Sequence, residues 1–488
     1  MKPLLHILTA LLLGNAPLFA LSDQPNIVWI VVEDMSDHFS CYGETTIQTP
    51  NVDKLASEGA LFENAFVTCP VCSPSRSAMI TGMYQTTIGA HQHRSGRGEI
   101  RIHLPEHIST IPDLLKDAGY YVTNSGAKVN PKKPDAIGKT DYNFETADDL
   151  YDGNDWTQRE EGQPFFAQYQ LAGGKNRAVR SNELLPADQL PTADQVKLPP
   201  YYPDDAVLRE DWADYLASVL LVDHEVGKIL AKLEAENVAD NTVVVFLTDH
   251  GISHARGKQF MYEEGIKVPL IIRAPGAVEP GTRRTDLVAH IDLSATSLDF
   301  AGVEIPESME GRPLFGDNAN PRDFVVSARD RCDETMDRIR SVRTAKYKYI
   351  RNFHPERPHL QPNAYKDNKP IIARIRELGA EGKLNELQSR LVAETRPMEE
   401  FYDLEADPWE TNNLAKDPKL RGELRKHRLL LENWIVETQD AGQTPEDPKA
   451  YNSDMAEYLK GLKARRPERL AEIRKNIRQQ KQWLAEGK

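Results

Sequence analysis

Two continuous apolar segments constrain the fold of this chain more strongly than any other feature of its sequence. They are Asn26–Val32 and Thr242–Leu247, both rich in β-branched and aromatic residues. Such runs are typical of strands buried on both faces of a parallel sheet. Pro164–Leu171 resembles a third central strand, and Asp205–Glu236 has the periodicity of a long helix. We therefore predict an α/β fold with a mostly parallel central sheet flanked by helices.

Charged and polar side chains follow both apolar segments. Glu33 and Asp34 come directly after the first, and Asp249 and His250 come after the second and one threonine. In open α/β sheets, ligands bind at the carboxyl ends of the strands. Carboxylates at a buried strand end are costly unless they stay ionised for a purpose such as holding a cation. The two strand ends are therefore candidates for a cation site.

A cysteine-containing run lies between these segments in the sequence. Cys72–Gly82 reads Cys-Ser-Pro-Ser-Arg-Ser-Ala-Met-Ile-Thr-Gly and follows the loop-like residues 68–71. Pro74 is tolerated in the first turn of a helix, so we predict that Cys72 begins one. Backbone N–H groups and the helix dipole favour an anion at that position.

Two other interpretations of this cysteine compete. Cys69 and Cys72 form a C-x-x-C pair, which elsewhere marks a dithiol redox centre or half of a zinc site. Only Cys41 and Cys332 remain, and they supply no second pair of metal ligands. A redox motif would need a compact thioredoxin-like domain, and this chain is larger. The other interpretation is a buried cysteine that starts an ordinary helix.

The run C-x-P-x-R, extended by S-R-x-x-x-x-T-G, resembles the signature of the formylglycine-dependent (type I) sulfatases. Residues 49–65 and the D-H-G that begins at Asp249 also resemble this family. The resemblance covers about residues 25–440, and residues 434–440 look most like the sulfamidase (heparan N-sulfatase) branch. It implies an alkaline-phosphatase-like fold. It also implies that a formylglycine-generating enzyme converts Cys72 to formylglycine (3-oxoalanine), whose hydrate is the nucleophile.

The resemblance further implies one bound calcium ion. Its ligands would be Glu33, Asp34, Asp249, His250 and an oxygen on the residue made from Cys72. Glu33 stands where the family generally has an aspartate, and it keeps the charge on a longer side chain. Calcium is a hard cation that takes oxygen ligands, so His250 is a less natural ligand than the asparagine found in many family members.

Positively charged groups and histidines complete the implied site. Arg76, one helical turn from the nucleophile, would orient the hydrated aldehyde through charge-assisted hydrogen bonds. Lys258 matches the family's sulfate-binding position, where it would neutralise charge on the transferring group. His91, His93 and His254 are candidate substrate-binding residues. For the first two, solvated loop histidines are the alternative interpretation.

The histidines that the family normally uses are absent from their expected places. Asp141 replaces the first, in a frame where Lys139 matches the family's catalytic lysine; Lys128, nearer the strand end, is the alternative. No histidine follows the strand at 164–171, where Lys175 is the candidate sulfate-binding group. The resemblance therefore leaves the general acid unidentified.

The first 20 residues have the order of a secretory signal peptide. Lys2 precedes an apolar run from Leu4 to Leu13, and the segment ends at Ala20. A buried N-terminal helix is the alternative. No later run reaches the roughly 20 apolar residues that span a bilayer. We therefore expect a secreted or periplasmic protein with no membrane span.

The formal net charge of −14 argues against general affinity for nucleic acid or anionic membranes. It does not exclude an anionic substrate, because local fields steer ligands into a cleft. Four cysteines among 488 residues do not make a disulfide framework.

The chain divides into four predicted segments. A signal peptide at 1–20 precedes a sulfatase catalytic domain at 21–322. Short strand-like runs and a stretch at 401–415 that resembles the family's C-terminal signature indicate an α+β subdomain with an antiparallel sheet at 323–444. Residues 445–488 are charged, with apolar residues at helical spacing, which predicts a helical tail on the surface or on a partner subunit. An oligomer is therefore an open alternative.

The resulting hypothesis is an exported sulfatase that hydrolyses O- or N-sulfate groups of a sulfated oligosaccharide or polysaccharide. One alternative is a phosphatase or phosphodiesterase of the related fold. Those enzymes usually hold two transition metals with more aspartates and histidines than this chain offers. The other alternative is a glycan-binding protein with a decayed site, which the missing histidines motivate.

Overall fold

The computed structural model describes residues 21–126, 135–175 and 185–488. The predicted signal peptide and Lys128 lie outside the described residues. Among the helices that are described, none is long and apolar enough to cross a membrane.

A seven-stranded sheet forms the centre of the molecule. Its strands are β1 (Asn26–Val32), β2 (Ala60–Phe66), β3 (Tyr121–Gly126), β4 (Phe165–Leu171), β5 (Thr242–Thr248), β6 (Lys267–Arg273) and β7 (Thr282–Ala289). Their spatial order is β3-β4-β1-β5-β6-β2-β7. Only β6 runs antiparallel to its neighbours in this described sheet. The prediction of a mostly parallel central sheet is confirmed.

The two apolar segments became neighbouring central strands. Every residue of β1 and β5 is buried, as expected of strands covered on both faces. Val32 of β1 pairs with Leu171 of β4 and with Thr248 of β5. Because all three strands are parallel and end in register, the residues that follow them meet at one edge of the sheet.

Helices cover both the sheet and the subdomain beside it. Those longer than four residues are α1 (Pro50–Ser57), α2 (Cys72–Thr81), α3 (Ile111–Asp117), α4 (Ala206–Ala235), α5 (Asp292–Phe300), α6 (Pro370–Ala380), α7 (Arg421–Glu437), α8 (Pro448–Arg465) and α9 (Leu470–Ala485). The predicted long helix is α4. It begins where the Asp205 carboxylate accepts a hydrogen bond from the N–H of Val207, a favourable N-cap.

A separate antiparallel sheet follows in the chain. Its strands are β8 (Phe324–Arg329), β9 (Ile339–Thr344), β10 (Tyr347–Asn352) and β11 (Glu399–Asp403), in the spatial order β11-β10-β9-β8. The Ala328 N–H donates to the carbonyl of Thr68 at 2.8 Å, and the Ser327 hydroxyl donates to that of Val67 at 2.6 Å. The smaller sheet is therefore fixed to the segment that leads into α2.

The helical tail packs on its own chain. Tyr451 and Met455 of α8 form an apolar cluster with Ile473 and Ile477 of α9 and with Ala364. The buried guanidinium of Arg331 pairs with Glu446 at 2.8 Å and with Asp454 at 3.0 Å. These contacts hold the tail against the loops that surround the edge of the central sheet.

Candidate active site

The cysteine of the signature run begins α2, as the sequence predicted. All ten residues of this helix are buried, and Pro74 lies in its first turn. The Ser75 hydroxyl donates to the carbonyl of Asp249 at 2.5 Å, and the Ser75 N–H donates to the carbonyl of Val71 at 3.0 Å. These bonds fix the start of the helix against the end of β5.

Groups from both strand ends surround the Cys72 thiol. Its Sγ lies 3.2 Å from Nε2 of His250 and 3.9 Å from Oδ1 of Asp34. The Lys258 ammonium lies 2.9 Å from Sγ and donates to Asp34 at 3.1 Å. Asp34, Cys72 and His250 form a group whose ligand atoms lie within 4.8 Å of one another. The structure thus brings together the nucleophile position, both strand ends and the sulfate-binding lysine of the sequence analysis.

The electrostatic environment distinguishes Cys72 from the other three cysteines. Burial opposes ionisation of its thiol, but Lys139 and Lys258 bring the pKa below its ordinary value. Burial raises the pKa of Cys41 to about 12 and holds those of Cys69 and Cys332 above their usual range. All four thiols are free. Only Cys72 is therefore held as a reactive thiol, which does not favour a Cys69–Cys72 redox pair.

The two aspartates at the strand ends stay ionised despite complete burial. Burial raises the pKa of Asp249, but His250 and Arg76 lower it to about 2. Arg76 Nε donates to the Asp249 carboxylate at 3.0 Å. Burial also opposes ionisation of Asp34, but Lys258 and His250 keep its pKa well below the ordinary value. Charged oxygens are thus available to a cation at both strand ends.

The His250 ring supports a cation between these carboxylates. Its Nδ1 lies 2.9 Å from the carbonyl of Gly251, which can only accept, so Nδ1 carries the proton. Burial lowers the pKa of His250 to about 4, so the ring is neutral. The Nε2 lone pair then faces Oδ1 of Asp34 at 3.2 Å and Oδ1 of Asp249 at 3.5 Å. A cation among these three groups would turn a repulsive arrangement into a favourable one.

Glu33 lies in the site but contacts positively charged side chains. Its carboxylate lies 3.1 Å from Nζ of Lys139 and 3.7 Å from Nη2 of Arg76, and its second oxygen contacts Lys175. Gly173 allows the approach of Lys175, because a Cβ at that glycine would lie 2.2 Å from the carbonyl oxygen of Glu33. The structure therefore brings Glu33, Arg76, Lys139 and Lys175 together, whereas metal ligation by Glu33 stays a prediction.

Lys139, the candidate for the family's catalytic lysine, lies at the site. Its Nζ contacts Glu33 and lies 3.4 Å from Asp141, which also pairs with Arg97. Asp141, the replacement for a family histidine, forms a second group with Cys72 and His93, again with ligand atoms within 4.8 Å. His93 thus lies near Cys72, although it belongs to a different segment of the chain.

The other two candidate histidines contact different groups. His91 lies near Arg340 and Asp440, and burial lowers its pKa to about 4. His254 is completely buried, with its Nε2 2.6 Å from the carboxylate of Asp211. Their substrate-binding roles stay predictions without support from these contacts.

Sequence reasoning missed two residues of the site that come from the C-terminal half. The Tyr365 hydroxyl donates to Oδ2 of Asp34 at 2.5 Å, and Asp333 contacts His93. Neither residue lies in a motif or at a strand end, so the sequence carries no local signal for them. Backbone conformation does mark part of this region. Four of its residues have positive φ, between 50° and 59°: Asp34, Arg94, Asp141 and Asp333. Such backbone strain concentrates at functional sites.

Comparison with known proteins agrees with this geometry. The sulfatase family model matches residues 25–303, and the model of the C-terminal region of N-sulphoglucosamine sulphohydrolase matches residues 250–359. An ulvan-active sulfatase of Formosa agariphila is 32% identical over 472 residues, which cover 87% of this chain and 77% of that protein. Human N-sulphoglucosamine sulphohydrolase is 25% identical, over 85% of this chain and 90% of its own length.

A solved structure supports the fold independently. It is a complex of a protein with its substrate D-glucosamine-2-N,6-O-disulfate, and it superposes with a TM-score of 0.60 at 21% identity. The alignment covers 86% of this chain and 98% of that one. The family model spans more than half of this chain, and the central sheet carries the family's signature at its edge. The protein therefore belongs to the sulfatase family, with the alkaline-phosphatase-like fold, and is a sulfuric ester hydrolase.

Proposed function

We propose that this sulfatase is exported and releases sulfate from a sulfated glycan, using formylglycine made from Cys72 and one calcium ion. The observation that carries the proposal is the setting of Cys72. It begins a buried helix, lies against His250 and Lys258, and alone among the four cysteines has a lowered thiol pKa. The same contacts would stabilise an oxygen anion at this position.

When present, the hydrated aldehyde supplies one hydroxyl to attack sulfur and a second that later helps to expel sulfate. The residues of this chain prepare it. Lys139 and Lys258 favour the ionised form of an acidic group at position 72, as they do for the thiol. Arg76 is held by Asp249 and by Gln170, to which it donates at 2.5 Å, so its guanidinium is fixed beside the nucleophile.

The calcium ligands would be Asp34, Asp249, His250 and an oxygen on residue 72, with Glu33 as the fifth. The orientation of the His250 lone pair toward two ionised carboxylates supports a cation there. The carboxylates suit a hard cation such as calcium, whereas an imidazole is more typical of transition metals. A bound ion would compete with Lys139 and Lys175 for Glu33.

The charge around the site suits an anionic substrate despite the net negative charge of the chain. Lys139, Lys175 and Arg94 lie at the site with side chains that are 28%, 32% and 40% exposed. Partly exposed cations can meet a sulfate group and neutralise its oxygens. The names of the ulvan-active and N-sulphoglucosamine relatives support a sulfated oligosaccharide or polysaccharide as the substrate class.

The remaining parts of the proposal concern maturation and location. The signal-like segment at 1–20 supports export to the periplasm or beyond. A formylglycine-generating enzyme would act on the signature run. The domain limits at residues 322 and 444 are also proposals. A catalytically decayed glycan-binding protein is disfavoured, because Cys72, Arg76 and Lys258 all remain and converge.

The test combines peptide mass spectrometry with sulfate release. The chain is produced with and without a formylglycine-generating enzyme, and a panel of O- and N-sulfated oligosaccharides is assayed by ion chromatography. We expect the aldehyde at residue 72, sulfate release that scales with its occupancy, and none from Cys72→Ala. Full activity of a chain whose Cys72 is an unmodified thiol would contradict the proposal.

A further inference from the structure

His93 is a buried ring that faces the reaction centre without an assigned role. It is 3% exposed, and one of its nitrogens lies within 4.8 Å of both Cys72 Sγ and an Asp141 oxygen. Its Nε2 has no hydrogen-bond partner although it is buried. An unpaired buried ring nitrogen is costly, so a missing partner is expected to arrive with the substrate.

The other side of the ring is firmly held. Nδ1 accepts a hydrogen bond from the Asp333 N–H at 3.3 Å, and it lies 3.4 Å from the Asp333 carboxylate oxygen Oδ1 and 3.6 Å from Cys332 Sγ. The backbone N–H of His93 donates to the carbonyl of Arg331 at 3.0 Å. The ring is therefore fixed on its Nδ1 side, and Nε2 is the nitrogen left without a partner.

Asp333 is a charged partner for this ring. Burial opposes its ionisation, but Arg94 and His93 keep its pKa well below the ordinary value. Its Oδ1 has no hydrogen-bond partner in the described structure, so this carboxylate oxygen is available to the ring. The backbone of Asp333 is in the left-handed region (φ 50°), a strained conformation that the surrounding contacts maintain.

Cys72 belongs to two separate groups of potential ligand atoms. Asp34 and His250 form one group with Sγ, and His93 and Asp141 form the other. An in-line displacement needs an attacking oxygen on one side of sulfur and a leaving atom on the other. A donor to the leaving atom must lie about 3 Å from that atom and need not contact the nucleophile, so a ring nitrogen within 4.8 Å of Sγ suits this role.

We propose that His93 is the general acid of this sulfatase and that Asp333 is its positioning residue. As the attacking oxygen bonds to sulfur, the bond between sulfur and the glycan oxygen breaks and its electron pair goes to that oxygen. The oxygen takes the Nε2 proton of the doubly protonated ring, which leaves a neutral imidazole whose remaining proton, on Nδ1, faces the unpaired Oδ1 of Asp333. The inference rests on the proposed reaction at residue 72 and supplies the proton donor that the sequence left unidentified.

Lys175 is the competing donor, because burial lowers its pKa to about 8. Its ammonium contacts the Glu33 carboxylate, however, and giving up its proton would leave that carboxylate with one cation fewer. Lys258 is a poorer donor, because Asp34 and Cys72 outweigh burial and hold its pKa well above the ordinary value. Of these three side chains, only His93 has a nitrogen that is buried without a hydrogen-bond partner in the described structure.

The test uses the dependence of rate on the leaving group. Wild-type and His93→Gln chains, with aldehyde content measured by mass spectrometry, are compared on 4-nitrophenyl sulfate and on the sulfated sugar that wild type hydrolyses fastest. We expect kcat on the sugar sulfate to fall about 10²–10⁴-fold, the usual range for a general acid. The nitrophenolate leaves without a proton, so we expect kcat on the aryl sulfate to fall about tenfold or less.

Matched variants make the outcome decisive. Asp333→Asn should show the same selective loss to a smaller extent, which a merely structural role would not produce. His427→Gln, a buried histidine of α7 that bonds Thr344 at 3.0 Å, should show no selectivity. An equal loss on both substrates for His93→Gln, or a selective loss in Lys175→Met instead, would overturn the inference. An aldehyde-bearing wild type inactive on every substrate would overturn the proposed function with it.

Discussion

The candidate active site consists of two halves that are held in place by different means. The strand-end half, Glu33, Asp34, Asp249 and His250, follows two central strands whose register fixes it. The Glu33 N–H donates to the carbonyl of Leu171 at 3.0 Å, and the Asp249 N–H donates to that of Val32 at 2.8 Å. These bonds continue the ladder of the sheet directly into the site.

The loop half, His93, Asp141, Asp333 and Tyr365, comes from four separate segments. Long-range contacts fix it instead of a sheet ladder, such as the bond from Tyr365 to Asp34 and the pairing of His93 with Asp333. The strand-end half is therefore rigid by construction. The loop half depends on the docking of the C-terminal region.

The largest expected effect comes from the residue on which both halves converge. Cys72→Ala should lower sulfate release on the order of 10⁶-fold, as removal of a nucleophile does elsewhere, with little change in folding. Cys69→Ala is the matched control. Cys69 packs only in a small cluster with Val71 and Cys332, so it should keep activity and lose modest stability. Equal losses in the two variants would show that the thiol at 72 is not distinct.

Asp34→Asn tests the strand-end half. It removes one carboxylate charge from the proposed calcium site, so we expect sulfate release to fall about 10³-fold, since a metal ion supplies several kcal/mol of charge stabilisation. Calcium affinity, measured by calorimetry, should fall with it. Asp286→Asn, which removes a half-buried carboxylate paired with Arg284, is the control for charge alone. Unchanged calcium affinity in Asp34→Asn would remove Asp34 from the ligand set.

The sequence predicted the strand-end half almost completely, because burial of β1 and β5 on both faces leaves a direct mark in apolar composition. The start of the helix at Cys72 could also be predicted from the sequence, since proline is tolerated in the first turn of a helix. Strand β6 was not predicted as antiparallel, because strand direction depends on connections that no local pattern records. Tyr365 and Asp333 could not be predicted either, since only the docking of β8 and the loops beyond it brings them to the site.

Tyr365→Phe tests the loop half with a smaller change. It deletes the hydroxyl that donates to Asp34, and hydrogen bonds to charged groups contribute about 1.5–3 kcal/mol, so we expect kcat/KM to fall about tenfold or somewhat more. Tyr349→Phe deletes a comparable bond to Glu399 at 2.6 Å, away from the site, and should keep full activity. Full activity of Tyr365→Phe would mean that the loop half does not support the strand-end half.

His290 offers a test of stability with little expected effect on turnover at neutral pH. Its ring lies beneath α2, with Nε2 2.9 Å from the carbonyl of Ser75 and Nδ1 accepting from the Thr68 N–H at 3.3 Å. Burial lowers its pKa to about 4 from an ordinary value of 6.5. The folded chain therefore binds fewer protons than the unfolded chain between these values, so its stability falls as the pH drops from 6.5 to 4.

This loss amounts to about 3 kcal/mol for one such group, from the linkage of proton binding to folding. Asp249, whose pKa is about 2, contributes only below its ordinary value of 3.8, so the two effects occupy separate pH windows. His91 and His250, whose pKa values burial also lowers to about 4, add to the decline in the same pH window. His290→Gln should therefore reduce the decline in unfolding free energy between pH 6.5 and 4 by about 3 kcal/mol without removing it, measured by urea denaturation at each pH. An unchanged decline would mean that His290 is already protonated in the folded chain. A positively charged imidazole would then lie beside α2, next to the strand-end half.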